Sequence, residues 1–181
     1  MGFKYRIDGN SLYFLTTTVI GWIDVFTRKE LAEIIISSIK HCQKEKGLVL
    51  YAWCLMPSHL HLIAAADEDT NLSDIMRDFK KFTSKKIVAS IPEIYESRRE
   101  WMMGMFEHAG RTSTKNKEFK FWQDGLHPIE LTSNKFTDQK LDYVHNNPVE
   151  AGIVAEPHHY LYSSALNYSG GLGLIDVEFI Q

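Results

Sequence analysis

Two groups of side chains in this sequence have the types and spacing for chemistry. The first is His59-Leu60-His61. On a β-strand, successive side chains alternate between faces, so His59 and His61 point to one side and Leu60 to the other. Two imidazoles on one rigid face can share a divalent metal. Zinc, manganese, iron and copper suit imidazole, and magnesium does so only with oxygen ligands beside it. The second group is Tyr143-Val144-His145-Asn146-Asn147. On a helix Tyr143 and Asn147 are i and i+4 and project from the same side. A phenol oxygen and an amide oxygen then face one target.

Together the groups suit phosphodiester cleavage without a water nucleophile. That reaction needs an activated hydroxyl, an electrophile on the phosphate oxygens and a stabilised leaving group. A metal held by His59, His61 and Asn147 supplies the second and third requirements, and Tyr143 the first. The product is a 5′-phosphotyrosine and a free 3′-hydroxyl. Each residue also has an ordinary reading: exposed histidines on a solvated sheet face, a core tyrosine, and an asparagine that ends a helix before Pro148.

The elements that must position these groups follow from periodicity. Residues 11–22 are aromatic and β-branched and read as a strand. Thr27 to Glu30 has the pattern of a capping box, and apolar residues from Leu31 to Cys42 recur at helical spacing until Gly47. Residues 48–56 and 59–66 read as two strands separated by Pro57-Ser58. That connection is too short for a crossover, so they form an antiparallel hairpin. A second helix spans 71–89, with Leu72, Ile75, Met76, Phe79, Phe82 and Ile87 as its apolar stripe, stopped by Pro92. Trp101 to Phe106 suggests a buried helical segment, and residues 110–117 an exposed loop. Residues 119–131 are strand-like but broken by Asp124-Gly125 and Pro128. Thr137 or Asp138 then caps a last helix that Asn147-Pro148 ends. The order implies an α+β fold: a ferredoxin-like antiparallel sheet with helices on one face, in the split-βαβ pattern. Residues 1–155 are expected to form the catalytic domain, and 156–181 a C-terminal tail packing on it or on a partner subunit.

Composition bounds the function. The 181 residues carry a net charge of −3, unlike a typical nucleic-acid binder. Charge position matters more than its sum, and Arg77, Lys80, Lys81, Lys85 and Lys86 form a basic stretch that can face DNA. Cys42 and Cys54 are too few for a disulfide scaffold and fit buried small hydrophobes in a reducing compartment. No apolar run approaches a membrane span, and the first residues lack a signal-peptide core and a complete myristoylation motif. A cytoplasmic, nucleoid-associated protein is expected. His127 and Gln123 are candidates for supporting positions near the metal. His145 is expected to be exposed, His158-His159 to be a solvated pair, and Trp122 to be core.

Three blocks carry a resemblance: MPSHLHLI at 56–63, FWQDG at 121–125 and YVHNNPVEAGIV at 143–154. In this order the chain resembles the REP-associated tyrosine transposases, relatives of the single-strand insertion-sequence transposases in the HUH endonuclease superfamily. Leu126-His127-Pro128 stands where many relatives have aromatic residues. The resemblance implies a ferredoxin-like fold, magnesium or manganese, a homodimer, and binding of single-stranded or hairpin DNA. It places the HUH pair on His59 and His61, the nucleophile on Tyr143, the third metal ligand on Asn147 and DNA contacts on the basic helix. The alternatives are a non-catalytic hairpin-binding protein and an unrelated metal-dependent hydrolase.

Overall fold

The computed structural model describes residues 11–113 and 118–180. The N-terminal readings and the end of the 110–117 loop therefore lie outside the described residues. A four-stranded antiparallel sheet has the order β2-β3-β1-β4. Its strands are β1 (Tyr13–Thr18), β2 (Leu48–Met56), β3 (His59–Ala66) and the short β4 (Ile129–Glu130). Helix α1 (Lys29–Lys46) connects β1 to β2, and β3 inserts between those two strands, which is the split-βαβ arrangement. The hairpin β2–β3 has the bounds expected from the sequence. A bulge at Tyr51 shifts the parity of β2, so that Leu48 and Leu50 before it and Trp53 and Leu55 after it all face the same side.

That side is the main core. Helices α1 and α2 (Leu72–Ser90) cover it, burying Leu31, Ile35, Ile39, Ile75, Met76 and Phe79 against Leu15, Leu50, Trp53, Leu60 and Leu62. Helix α1 ends at Gly47, whose φ of 73° is the left-handed cap position glycine fills without strain. Its start differs from expectation. Arg28 precedes the helix without a side-chain cap, because the Thr27 hydroxyl donates to the Asp24 carbonyl and closes a 3₁₀ turn. Asn71 caps α2 by accepting from Ser73 and Asp74 N–H. Phe82 leaves the expected stripe and is exposed; Thr83 takes the inward position and accepts a hydrogen bond from Trp122 Nε1. Helix α3 (Arg99–Arg111) buries Met102 and Phe106 but leaves Trp101 outward. It extends into the expected loop, because buried Gly110 lets the backbone of Phe119 pack directly on it.

The other face of the sheet carries helix α4 (Asn134–Glu150), packed through Val144 onto Phe14, Ala52, Cys54, Met56 and Ile63. Ser133 caps it, four residues before the earliest cap read from the sequence. The helix continues through Pro148, whose missing N–H leaves only one bond unmade. Asn147 and Pro148 carbonyls accept from Ala151 and Ile153 N–H and close the end. Asn147 therefore stays helical and keeps its i+4 relation to Tyr143.

The tail seals the free edge of β2. Leu55 N–H donates to Tyr162 O, Ser164 N–H to Trp53 O and Glu178 N–H to Leu50 O, while the Tyr160 and Tyr168 hydroxyls donate to Leu55 O and Tyr51 O. The short helix α5 (Ala165–Tyr168) belongs to this seal. Among the described residues no helix is long and apolar enough to cross a membrane.

Candidate active site

The site forms on the α4 face at the end of the β1–β3 pair. Register sets Thr16 opposite His61 and Thr18 opposite His59. Leu60 and Leu62 enter the main core, so His59 and His61 must emerge on the other face, where their ring centroids lie 4.7 Å apart. The ring of Tyr143 reaches over from α4 to within 5.3 Å of His61, centroid to centroid. Phe14, two residues before Thr16 on β1, stacks on His61 at 5.5 Å and meets Tyr143 edge-on at 5.8 Å. The two groups singled out in the sequence therefore meet, although 82 positions separate His61 from Tyr143 in the numbering.

Each histidine has its Nδ1 engaged by a hydroxyl. Thr16 Oγ1 lies 2.8 Å from His61 Nδ1, and Ser58 Oγ lies 3.1 Å from His59 Nδ1. In the tautomer whose Nδ1 donates to Thr16, Nε2 of His61 keeps its lone pair. That Nε2 is buried and has no hydrogen-bond partner among the described residues. A buried lone pair without a partner is costly in a folded protein unless something binds it. Burial pushes the His61 pKa down to about 3, helped by the charges of His59 and Lys140, so the ring is neutral across the physiological range. Burial also lowers the pKa of His59, while the hydrogen-bonding side chain of Asn147 opposes that shift. Neutral imidazoles are the form that ligates a metal. The orphaned Nε2, the neighbouring His59 and the amide of Asn147 thus fit a divalent cation. No group of three or more His, Cys, Asp or Glu suited to a metal occurs among the described residues.

Lys140 is a site residue that the sequence reading missed. It lies one turn before Tyr143, with its ammonium 4.8 Å from the Phe14 ring centroid and 5.4 Å from that of Tyr143. The i−3 spacing from the tyrosine was the available signal. Thr16 and Phe14 carried none, because the β1–β3 register decides that they meet His61. Tyr143 is 41% exposed.

His145, expected to be exposed, is buried. Its Nε2 lies 2.9 Å from Ser164 Oγ, its ring meets Tyr168 at 5.0 Å, and burial pushes its pKa down to about 4. It ties α4 to the tail and so helps hold Tyr143 in place. His127 is exposed at a φ of 42° and folds back beside Gly125, while His158 and His159 are an exposed pair. Trp122 is core. Gln123 stands at the edge of the site: its N–H donates to Thr18 O and its side chain to Val19 O, one strand away from His59.

The basic helix is used unevenly. Arg77 pairs with Asp74 and Asp78. Lys80 is largely withdrawn from water and donates to the carbonyls of Gln123 and Gly125, 3.0 Å each. Burial pulls its pKa down to about 8. Lys81 and Lys85, one turn apart, line an open cleft of about 680 Å³ between α2 and residues 118–125, while Lys86 is exposed beside them. Gln123 belongs both to this cleft and to the end of β1.

A histidine pair on a split-βαβ sheet, faced by a helix-borne tyrosine, defines a protein of the tyrosine-transposase fold. A family model described as "Transposase IS200 like" matches residues 15–116, and the chain belongs to that family. The matched segment contains both histidines and the basic helix but ends before Tyr143. Among solved structures, a REP-associated tyrosine transposase bound to a REP hairpin is similar over 100% of this chain and 95% of its own, with a TM-score of 0.64 and 17% identity. A candidate transposase from Deinococcus radiodurans R1 is similar over 81% of this chain and 95% of its own, with a TM-score of 0.48 and 17% identity. No curated protein sequence matches the chain.

Proposed function

We propose that this chain cuts and rejoins single-stranded DNA through a covalent bond between Tyr143 and a 5′-phosphate, with residues 1–155 as the catalytic domain. The observation that carries the reading is the contact between His61, whose Nε2 is unpartnered, and the half-exposed ring of Tyr143. His59, His61 and the Asn147 side chain would hold Mg²⁺ or Mn²⁺. When bound, such an ion withdraws charge from the phosphate oxygens and steadies the departing 3′ oxygen.

The chain's own residues do the rest. Thr16 and Phe14 fix the ring of His61, and Ser58 and Asn147 that of His59. Helix α4, anchored by Val144 and His145, presents the Tyr143 hydroxyl. Tyr143 Oη forms a bond to phosphorus as the phosphorus–O3′ bond breaks. The phenol gives up its proton and the 3′ oxygen gains one. Lys140 beside the ring favours the phenolate that develops and the negative phosphate. The phosphotyrosine bond is an ester like the one cut, so a free 3′-hydroxyl reverses the step and joins strands.

The similarity to a hairpin-bound transposase supports hairpin DNA as the substrate. Lys81, Lys85 and Lys86 are the cations best placed to follow its phosphates; Lys80 and Arg77 contribute less, being already engaged. The test is incubation with a DNA hairpin carrying single-stranded flanks and Mn²⁺. A covalent adduct that survives denaturation and disappears in Tyr143→Phe is expected. Cleavage that persists in Tyr143→Phe would show that water, not tyrosine, is the nucleophile.

A further inference from the structure

The turn after β1 carries a feature that the cleavage chemistry does not use. Val19 pairs with Trp122, and Ile20 N–H donates to Phe121 O. The chain then turns tightly through Ile20–Trp22. Two successive residues take the left-handed conformation: Gly21 at φ 63° and Trp22 at φ 56°. Glycine accepts that backbone readily, but for a bulky residue it is an outlier. Such strain persists only where the surroundings hold it, and it gathers at binding and catalytic sites. Here the surroundings are firm. Trp22 N–H donates to Val19 O, Ile23 beyond it is buried, and Met105 of α3 packs beneath Gly21.

The indole held this way is not packed into the core. It is 61% exposed, and its ring meets His59 edge-on at 5.3 Å. A strained turn thus presents the largest aromatic face available, on the rim of the histidine pair. Building on the cleavage reading above, we propose that Trp22 is the platform on which one base of the single-stranded DNA stacks, next to the phosphate that Tyr143 attacks. Stacking on an aromatic face needs no base-edge hydrogen bonds and tolerates any base, so it holds the strand without reading it. It also keeps the nucleotide beside the cut extended, leaving its phosphate free to lie against His59.

The test is equilibrium binding of a fluorescent DNA hairpin with single-stranded flanks to the full chain in a Tyr143→Phe background. An abasic site is placed at each flank position in turn. At one position near the cleavage point, loss of the base is expected to weaken binding by about 5- to 150-fold, the worth of one base–aromatic stack. Trp22→Ala should weaken binding to intact DNA by a similar factor, and in that variant the same abasic site should cost nothing further. Trp22→Phe should retain most of the affinity. A tryptophan that merely supports His59 would instead give independent, multiplying losses at every position. That result, or a Trp22→Ala protein that binds as tightly as its parent, overturns the proposal. It leaves the cleavage reading intact if wild-type protein still forms the Tyr143 adduct. Absence of any DNA binding overturns both.

Discussion

The two faces of the sheet are built from alternate residues of the same strands, yet they obey different rules. On one face Leu60 and Leu62 meet the apolar stripes of α1 and α2, and the core closes. On the other, His59 and His61 alternate with those leucines and meet a helix presenting Tyr143 and Asn147, together with a small apolar cluster around Val144. The first face is closed by apolar packing, with Trp53 Nε1 buried there without a hydrogen-bond partner among the described residues. The second contains a buried nitrogen without a hydrogen-bond partner among the described residues and a half-exposed phenol. The same β3 strand therefore lends rigidity from one side to the chemistry on the other.

The comparison can be broken from either side. The largest effect is expected from His61→Ala. Removing one of the proposed metal ligands should lower the rate of adduct formation by about a thousandfold or more, the several kcal/mol that a catalytic ion supplies. Thermal stability should fall less than in a substitution in the closed core, because the packing lost is partly offset by removal of an unpartnered buried nitrogen. Single-turnover gels and calorimetry measure the two. Leu62→Ala reverses the pattern. It leaves a cavity in the closed face and should cost about 3 kcal/mol of stability in denaturant titration. Mn²⁺ affinity of the molecules that remain folded should stay near the parent value. A smaller and sharper effect is expected from Thr16→Val, which keeps the shape but removes the partner of His61 Nδ1. Mn²⁺ binding, followed by titration calorimetry, should weaken about 10- to 100-fold, as when other partners of metal-bound histidines are lost. Unchanged affinity would mean that Thr16 does not orient the ring.

The sequence made one face far more legible than the other. The β2–β3 hairpin and the α1 stop at Gly47 follow from local patterns, and the structure keeps them. The pairing of His59 with His61 is likewise local, because strand alternation decides it. What remained hidden depended on contacts distant in sequence. The burial of His145 follows from Ser164 and Tyr168 in the tail. The positions of Thr16 and Phe14 follow from the β1–β3 register. Local signals also competed. Thr27 used its hydroxyl on Asp24 instead of capping α1, and Ser133 capped α4 before Thr137 or Asp138 could. Pro148 did not end α4, since a proline in the last turn removes a single bond.

The similarity to known transposases reaches the two proposed catalytic groups unequally. The family match spans both histidines and stops before the tyrosine. The role of Tyr143 therefore rests on geometry: the ring contact with His61, the charge of Lys140, and Asn147 one turn away beside His59. The most direct measurement is peptide mapping of the covalent adduct by mass spectrometry after nuclease trimming of the DNA. A single nucleotide linked through its 5′-phosphate to Tyr143, with a 3′-hydroxyl on the released strand, is the expected result. A nucleotide on any other tyrosine, or cleaved DNA ending in free 5′-phosphates with no adduct, would contradict the account.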